Sequence, residues 1–294
     1  MNFLDHIAYW ASTLKKDTRE TITLTPAEKA RIELYCQLSS SFRLNKPQKI
    51  NSISRFRKAS YSYDWYKIFS LNDNRRCHFA FGDVQFVPDE PTFTKSRPIC
   101  TSNENNVLLP LNTVRHFNFH TDPLSFASKS NDAIWRGAAY KEHRKLFLDK
   151  AEDCSICDCK DTSRYAPKTI MGRPQNHLQI QEQLKHKFIF AIEGNDVASN
   201  LKWVMASNSI AVMPQPRFET WFLENQLIPN QHYIEISRTF DNIEDALEPY
   251  LSNNRLASEI NQEAKAYAAQ FFDLKRQFKI AAIVAEKYFA LASS

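Results

Sequence analysis

The feature that most constrains the fold is a regular alternation of helix-like and strand-like patterns in the C-terminal half of the chain. Apolar residues recur at helical spacing in some segments, and short continuous apolar runs separate them. The pattern predicts helices over 176–185, 197–207, 218–225 and 242–251, and strands over 187–192, 210–213 and 232–236. Strands that alternate with helices predict a parallel sheet covered by helices on both faces. A further helical pattern occupies 255–290.

The N-terminal half is less regular. A helix is predicted over 25–44, with Thr25 as N-cap and Pro26 in its first turn. Further predictions are a strand–turn–strand unit at 77–87, an irregular proline-rich stretch at 88–98, a strand over 132–137 and a helix over 139–151. Together these patterns indicate an α/β chain with two lobes.

Size and charge narrow the class of protein. The chain has 294 residues, which suits one large domain or two ordinary ones, and 43% of them are hydrophobic, enough to bury a core. A net charge of +5 favours anionic partners such as nucleotides or anionic lipid. No block of lysine and arginine is dense enough to single out nucleic acid.

The N-terminal twenty residues lack the charged and apolar regions of a secretory signal, and no run approaches the roughly 18 apolar residues that span a bilayer. We therefore expect a cytoplasmic protein, with a peripheral membrane role left open. The six cysteines are then expected to be thiols. Cys154, Cys157 and Cys159 allow a zinc interpretation, but no second ligand pair follows at a suitable spacing.

The stretch AIEGNDVASNLKWVMASNSIAVM, residues 191–213, places a polar elbow between a predicted strand and a predicted helix. A helix that begins near Val197 would point free N–H groups at the carboxyl end of the sheet, which is a phosphate-binding arrangement. Ser199 and Lys202 would add a hydroxyl and a cation. The alternative is a plain capped helix, and the charge of Asp196 opposes a phosphate directly on the cap.

A second candidate site is WRGAAYKEHR, residues 135–144. Arg136 ends a predicted strand and Arg144 lies in the helix that follows. Two arginines that flank a glycine turn could hold a diphosphate through bidentate hydrogen bonds. The alternative is that both are ordinary solvated side chains.

Taken together, these stretches resemble glycosyltransferase family 90, in its compact bacterial branch. The resemblance spans roughly residues 80–270. It rests on GDVQFVP (82–88), PIC (98–100), WRGAAYKEHR (135–144), KHKFIFAIEG (185–194), VASNLKWVMASNSIAV (197–212), FETWF (218–222) and IPNQHYIEI (228–236).

The resemblance implies a GT-B-like architecture of two Rossmann-like lobes with a donor/acceptor cleft between them. Residues 1–128 would form the acceptor-side lobe, with a helix at about 272–294 packing back on it, and 129–271 the nucleotide-sugar lobe. It further implies transfer from a UDP-sugar with inversion and without a bound metal. The chain likewise lacks an Asp-x-Asp motif.

The resemblance also assigns roles to residues. Asp83 matches the catalytic aspartate, which takes the acceptor proton. The donor and its diphosphate would contact Arg136, Gly137, Ala138, Arg144, Val197, Ala198, Ser199, Lys202 and Glu219. Lys95 and Arg97 either reach an anionic acceptor or are solvated loop charges. His232 and Tyr233 match a family pair that we interpret as structural. The eukaryotic members carry an arginine near Leu201, where this chain has Lys202 as its nearest cation.

The sequence thus predicts an inverting, metal-independent enzyme that moves a hexose or pentose, with glucose as the expected sugar. The expected acceptor is a hydroxyl of a lipopolysaccharide core or another surface glycan or glycolipid, reached at the inner membrane, and no nucleic acid partner is expected. The alternative is a non-enzymatic protein that binds an anionic ligand, a polysaccharide or a nucleic acid. A family member that acts on protein is a third reading.

Overall fold

The computed structural model describes residues 22–54, 58–169, 172 and 174–293. The N-terminal segment that we interpret as lacking a secretory signal lies outside these residues. Contacts divide the described chain into two units. The first runs to Arg115 and also contains Phe218–Trp221 and the chain from Asp273 onward, and the second consists of His116–Arg217 and Phe222–Phe272. The division at residues 128 and 271 into acceptor-side and donor-side lobes stays a prediction.

The first unit contains one mixed sheet and one two-stranded ribbon. Strands β1 (Gln48–Lys49), β2 (Arg76–Ala80), β3 (Thr92–Thr94) and β5 (Asn106–Leu108) lie in that order, and only the β1–β2 pair is antiparallel. Strand β4 (Ser96–Pro98) pairs antiparallel with β10 (Phe218–Thr220). The stretch at 88–98, expected to be irregular, therefore contains two short strands. The predicted strand–turn–strand unit at 77–87 is wrong in its second half, which contains no strand.

Three main helices belong to the first unit: α1 (Pro26–Tyr35), α2 (Ala59–Ile68) and α9 (Leu274–Leu291). Thr25 caps α1 as predicted, because its hydroxyl accepts from the Glu28 amide and the Glu28 carboxylate accepts from the Thr25 amide. The helix ends at Tyr35, nine residues before the predicted end at 44. The residues after Tyr35 form an irregular segment and then the short strand β1.

The core of the first unit is aromatic. The Phe93 ring lies 5.9 Å from Trp65 and 4.3 Å from Tyr288, and all three are buried. Beside this cluster, Asp64 of α2 is buried and accepts hydrogen bonds from the Thr113 amide at 2.6 Å and hydroxyl at 2.8 Å. These bonds satisfy the start of the short helix α3 (Thr113–His116). Burial raises the pKa of Asp64 to about 6, against the opposing effects of Lys67 and Thr113.

The second unit is built on a five-stranded parallel sheet. Its strands are β6 (Ser130–Gly137), β7 (Cys157–Asp161), β8 (His186–Phe190), β9 (Ile210–Met213) and β11 (Ile234–Glu235), in the spatial order β7-β6-β8-β9-β11. Phe188, Ile189 and Phe190 are 0% exposed, which explains why β8 reads as a continuous apolar run rather than an alternating one. The predicted α/β class with a parallel sheet is confirmed.

The helices of this unit are α4 (Glu142–Glu152), α5 (Ile180–Gln183), α6 (Leu201–Met205), α7 (Ile243–Ser252) and α8 (Asn254–Ala269). The helical pattern at 255–290 therefore divides into α8 and α9. The predicted helix at 218–225 is wrong, because Phe218–Thr220 forms strand β10 and Glu224–Gln226 forms a single 3-10 turn. None of the helices in the described residues combines the length and the apolar character that crossing a bilayer requires.

The six cysteines are free thiols. Burial and the neighbouring Cys157 thiol raise the pKa of Cys154 to about 12. A hydrogen bond with Cys159 is the main reason that the pKa of Cys157 is also raised. Within the described part of the chain, no three His, Cys, Asp or Glu side chains are grouped so that they could hold a metal ion.

Candidate functional site

The candidate site of the second unit lies at the carboxyl edge of its parallel sheet. Across the sheet the strands lie in the order β7-β6-β8-β9-β11, which is 2-1-3-4-5 when they are numbered along the chain. The connection from β6 therefore runs to the strand on one side, and the connection from β8 runs to the strand on the opposite side. Such a reversal opens a crevice at the carboxyl ends of the two neighbouring strands, which is where open α/β sheets bind ligands. The segments that follow β6 and β8, residues 138–141 and 191–200, therefore border this switch point.

Arg144, in the first turn of α4, joins the two segments. Its Nη1 donates to the Ala138 carbonyl at 2.9 Å, its Nη2 to Ile192 at 2.6 Å and its Nε to Glu193 at 2.8 Å. A Cβ atom on Gly194 would lie only 3.3 Å from Nη2, so the glycine allows the guanidinium to approach the backbone closely. Arg144 is thus held at the switch point by backbone oxygens on both of its sides.

Glu193 is the centre of a second set of contacts at the same place. Its carbonyl accepts from His143 Nε2 at 2.8 Å as well as from Arg144. Its carboxylate accepts from the Arg217 amide at 2.7 Å and from Arg217 Nε at 2.8 Å. The Glu193 side chain is 13% exposed and that of Arg217 is 47% exposed. Three basic side chains therefore surround one residue of the elbow.

The WRG turn is determined mainly by packing. A Cβ atom on Gly137 would lie 2.4 Å from the ring of Trp135, which is itself buried. Only glycine fits there without moving the indole. Arg136 donates to the Asp158 carbonyl at 2.6 Å and forms an ion pair with the Asp158 carboxylate on the neighbouring strand β7. This arginine is thus engaged with β7 rather than with the Arg144 cluster.

Asp161 fixes the backbone of the same turn. Its carboxylate accepts from the Ala139 amide at 2.9 Å and from the Ser163 amide and hydroxyl at 2.8 Å. Burial works against ionisation, but these hydrogen bonds outweigh it and lower the pKa of Asp161. The loop after β6, which contains Ala138, is therefore held in place by a charged acceptor.

The elbow differs from its prediction. The helix begins at Leu201 rather than near Val197, and it has only five residues. Val197 and Ala198 are buried and Ser199 is half-buried, before the helix rather than in its first turn. The predicted start of the helix near Val197 is therefore wrong, and the role of Val197, Ala198 and Ser199 in donor binding stays a prediction. The side chain of Asn200 instead donates to the Phe190 carbonyl at 2.9 Å, which ties the elbow to the end of β8.

Lys202 points into the protein. Its ammonium forms an ion pair with Glu224, and both side chains are 0% exposed. The sequence shows a cation one turn into the helix, but only the fold reveals that a buried carboxylate is already bound to it. His232 Nδ1 accepts from the Ile228 amide at 2.9 Å, and burial lowers the pKa of His232. Tyr233 is also buried.

In the first unit, Asp83 lies in the loop that follows β2. Lys95 Nζ donates to Asp83 Oδ1 at 2.6 Å, and the aspartate side chain remains 28% exposed while the lysine is 2% exposed. Gly82 has φ +132°, a backbone conformation that favours glycine. The Ser96 hydroxyl accepts from the Val84 amide at 3.1 Å. These contacts therefore hold the accessible Asp83 carboxylate in a fixed position.

Arg97 and Glu219 are partners in this unit, opposite each other in the β4–β10 ribbon. Arg97 Nε donates to Glu219 Oε1 at 2.7 Å, and the two side chains are 0% and 1% exposed. The alternative in which Lys95 and Arg97 are solvated loop charges is wrong, because both are buried in ion pairs. Their role toward an acceptor stays a prediction. Glu219 was expected on a helix of the nucleotide lobe, and it lies instead on a strand of the first unit.

The sequence interpretation did not single out His143, Glu193 or Arg217. Their position was the available signal, since Glu193 directly follows an apolar strand, and Arg217 follows the next one after a short loop. Ordinary residue types at the ends of adjacent parallel strands converge on one edge. Considering every polar residue within six positions of a strand end would have included them.

Fold and site together define an α/β protein whose second unit has a doubly wound parallel sheet with a basic switch point, the arrangement of a ligand-binding domain. The model of glycosyl transferase family 90 matches residues 110–292. The chain is 35% identical over 285 residues to an O-glucosyltransferase LpsA of Dichelobacter nodosus, across 96% of this chain and 88% of that protein. The chain therefore belongs to glycosyltransferase family 90, and the predicted resemblance is confirmed.

Family membership identifies the protein as a glycosyltransferase, which takes a sugar donor and a glycan acceptor. This class of activity favours the enzymatic prediction over the alternative of a non-enzymatic binding protein. The roles of the individual site residues stay predictions.

Proposed function

We propose that the chain transfers glucose from UDP-glucose to a hydroxyl of a lipopolysaccharide core sugar or a related surface glycan, with inversion and without a bound metal. The observation that carries the choice of glucose is the 35% identity, over nearly the whole chain, to a protein named as an O-glucosyltransferase. The crevice at the β6–β8 switch point supports a nucleotide donor, because phosphates bind at such edges of doubly wound sheets.

In this proposal Arg144 stabilises the leaving diphosphate. Its guanidinium donates to the backbone carbonyls of Ala138, Ile192 and Glu193, which fix its orientation. A preorganised cation of this kind lowers the energy of a transition state in which negative charge builds up on the departing phosphate. Ala138 and Gly194 supply the adjoining backbone.

Asp83 is the proposed general base. The acceptor hydroxyl oxygen attacks the anomeric carbon, its proton passes to the Asp83 carboxylate, and the bond from the anomeric carbon to the phosphate oxygen breaks as UDP leaves. Lys95 holds one carboxylate oxygen at 2.6 Å, which fixes the orientation of the group. A single displacement of this kind inverts the configuration of the anomeric carbon.

The location follows from the proposed acceptor. A net charge of +5 would favour contact with the anionic head groups of the inner membrane from the cytoplasmic side. Binding to vesicles with and without anionic lipid, at low and at 0.5 M salt, measures this contact. Equal binding to neutral and anionic vesicles would contradict an electrostatic origin.

Donor binding is tested by thermal unfolding with UDP, in the presence and absence of EDTA, and with ADP and GMP as controls. A ligand at about 100 times its Kd stabilises the folded state by roughly 2.7 kcal/mol. We expect stabilisation by UDP alone, of the same size with EDTA. No shift at millimolar UDP would contradict the donor assignment, and a shift abolished by EDTA would contradict metal independence.

Transfer is tested with UDP-glucose and a purified truncated lipopolysaccharide, and the anomeric configuration of the product is read by NMR. We expect D83N to lose a factor of about 10²–10⁴ in kcat while it still binds UDP. D89N is the matched control, since Asp89 is an exposed carboxylate six residues further along the same unit. Retained activity in D83N, or a product with the donor's configuration, would refute the proposed chemistry.

A further inference from the structure

We propose that Arg217 is a second phosphate-binding cation of the donor site and that Glu193 is the residue that positions it. The inference rests on the proposed nucleoside diphosphate donor and extends it to a residue that follows β9. It starts from the two hydrogen bonds that the Glu193 carboxylate accepts from Arg217, one from its amide and one from Nε.

The geometry of the pair distinguishes it from an ordinary surface ion pair. Glu193 is 13% exposed, so the carboxylate is largely fixed, whereas Arg217 is 47% exposed and its guanidinium is accessible to solvent. The amide and Nε of the arginine are held at 2.7 and 2.8 Å. These two hydrogen bonds therefore fix the orientation of the half-exposed guanidinium before any ligand arrives.

The location connects the pair to Arg144. The carbonyl of Glu193 accepts from Arg144 Nε, and its carboxylate accepts from Arg217, so the same residue lies between two arginines. Both belong to the second unit and border the carboxyl edge of the sheet. Two guanidinium groups thus lie on either side of one residue at this edge, and guanidinium groups bind phosphate oxygens through bidentate hydrogen bonds.

One nearby charge works against an anion at this edge. Asp196 is buried in the same elbow, and its carbonyl accepts from the Gly194 amide at 3.0 Å. Its negative charge disfavours a phosphate close to the start of α6. We therefore assign the phosphates to Arg144 and Arg217 and not to that helix.

The test separates the contribution of the phosphates from that of the rest of the nucleotide. The Kd values of UDP and of uridine are measured by calorimetry for the wild type, R217Q and R217K, with R255Q as the matched control. Arg255 is an exposed arginine paired with Glu259 in α8. We expect R217Q to bind UDP about tenfold more weakly and uridine unchanged, since a charge-assisted hydrogen bond is lost. R217K should lie between R217Q and the wild type.

The outcomes distinguish this inference from the proposed function. Wild-type binding of UDP with an unchanged Kd in R217Q would overturn the role of Arg217 and leave the donor assignment intact. Equal weakening of UDP and uridine would indicate a structural role and would likewise overturn it. Absence of UDP binding by the wild-type protein would overturn both.

Positioning by Glu193 is tested by a double-mutant cycle. If Glu193 acts through Arg217, the E193Q substitution alters the ratio of the UDP and uridine Kd values when it is made in the wild-type protein. The same substitution made in the R217Q variant then leaves that ratio unchanged. The same alteration in both backgrounds would show that Glu193 acts independently and would refute the positioning role. Circular dichroism of each variant verifies that the fold is retained.

Discussion

The buried pair of Arg97 and Glu219 allows a direct test of what these residues do. We consider E219Q, which removes the charge and keeps the size of the side chain. In the wild type the carboxylate accepts from Arg97 Nε at 2.7 Å, and neither side chain is more than 1% exposed. The rest of the guanidinium donates to the carbonyls of Asn106 at 3.1 Å and Leu34 at 2.7 Å.

The magnitude follows from burial. Removing one partner of a buried ion pair leaves an uncompensated charge and costs about 3–5 kcal/mol. Because a glutamine oxygen still accepts one hydrogen bond and Arg97 keeps its two carbonyl acceptors, E219Q should fall near the lower end, at about 3 kcal/mol. The double variant R97M/E219L removes both charges and should recover part of that loss, because methionine no longer donates to the Asn106 and Leu34 carbonyls.

The assay is urea unfolding followed by circular dichroism and by tryptophan fluorescence. Trp221 is a suitable reporter for the ribbon, since it stacks on Tyr35 with ring centroids 3.6 Å apart and its indole donates to Gln277 at 2.9 Å. The sequence interpretation, in which Glu219 binds donor hydroxyls, predicts the opposite outcome. E219Q would then keep its stability and lose affinity for the UDP-sugar. A change in unfolding free energy below about 1 kcal/mol would refute our reasoning from burial.

Three further predictions rest on single contacts. K202M should lose about 3–5 kcal/mol of stability, because it leaves Glu224 charged and buried. Unchanged urea unfolding together with weakened UDP binding would instead support a role for Lys202 in donor binding. G137A should destabilise by about 1–3 kcal/mol in thermal unfolding, because its Cβ would meet the buried ring of Trp135, and wild-type stability would show that the ring can move. Asp64 has a pKa raised to about 6 by burial, so its contribution to stability is fully present below 3.8 and lost as pH rises through 6. D64N should remove this slope from pH-dependent unfolding, and an unchanged slope would assign it to another group.

Much of the second unit could be predicted because its strands are buried on both faces. The runs at 188–190 and 210–213 are continuously apolar and fully or nearly fully buried, so sequence and structure agree there. The segment at 218–225 misled the same reasoning. Phe218, Trp221 and Phe222 have the i, i+3, i+4 spacing of a helix, yet Phe218–Thr220 is a strand. Its pairing with β4, about 120 residues away in sequence, is a tertiary contact that no local pattern encodes.

The site was predictable to a smaller extent. Gly137 and Arg144 were singled out by the pattern of WRGAAYKEHR and then by the family resemblance, and the structure supplies the physical reasons for their conformations. The network around Glu193 was missed, because the two arginines that it joins lie 49 residues before it and 24 residues after it. Contacts of this range become visible only when the parallel strands are aligned and their carboxyl ends share one edge.

The cations that the sequence marked as ligands divide according to their partners. Lys95, Arg97 and Lys202 are each at most 2% exposed and each bound to a carboxylate. A buried cation that already has a carboxylate partner has little attraction left for a phosphate, and moving it would leave that carboxylate uncompensated. Arg144 donates to the carbonyl oxygens of Ala138, Ile192 and Glu193 at the carboxyl edge of the parallel sheet. Burial together with a carboxylate partner therefore indicates a structural role for Lys95, Arg97 and Lys202, whereas the position of Arg144 beside the switch point favours it for the proposed contact with the donor phosphates.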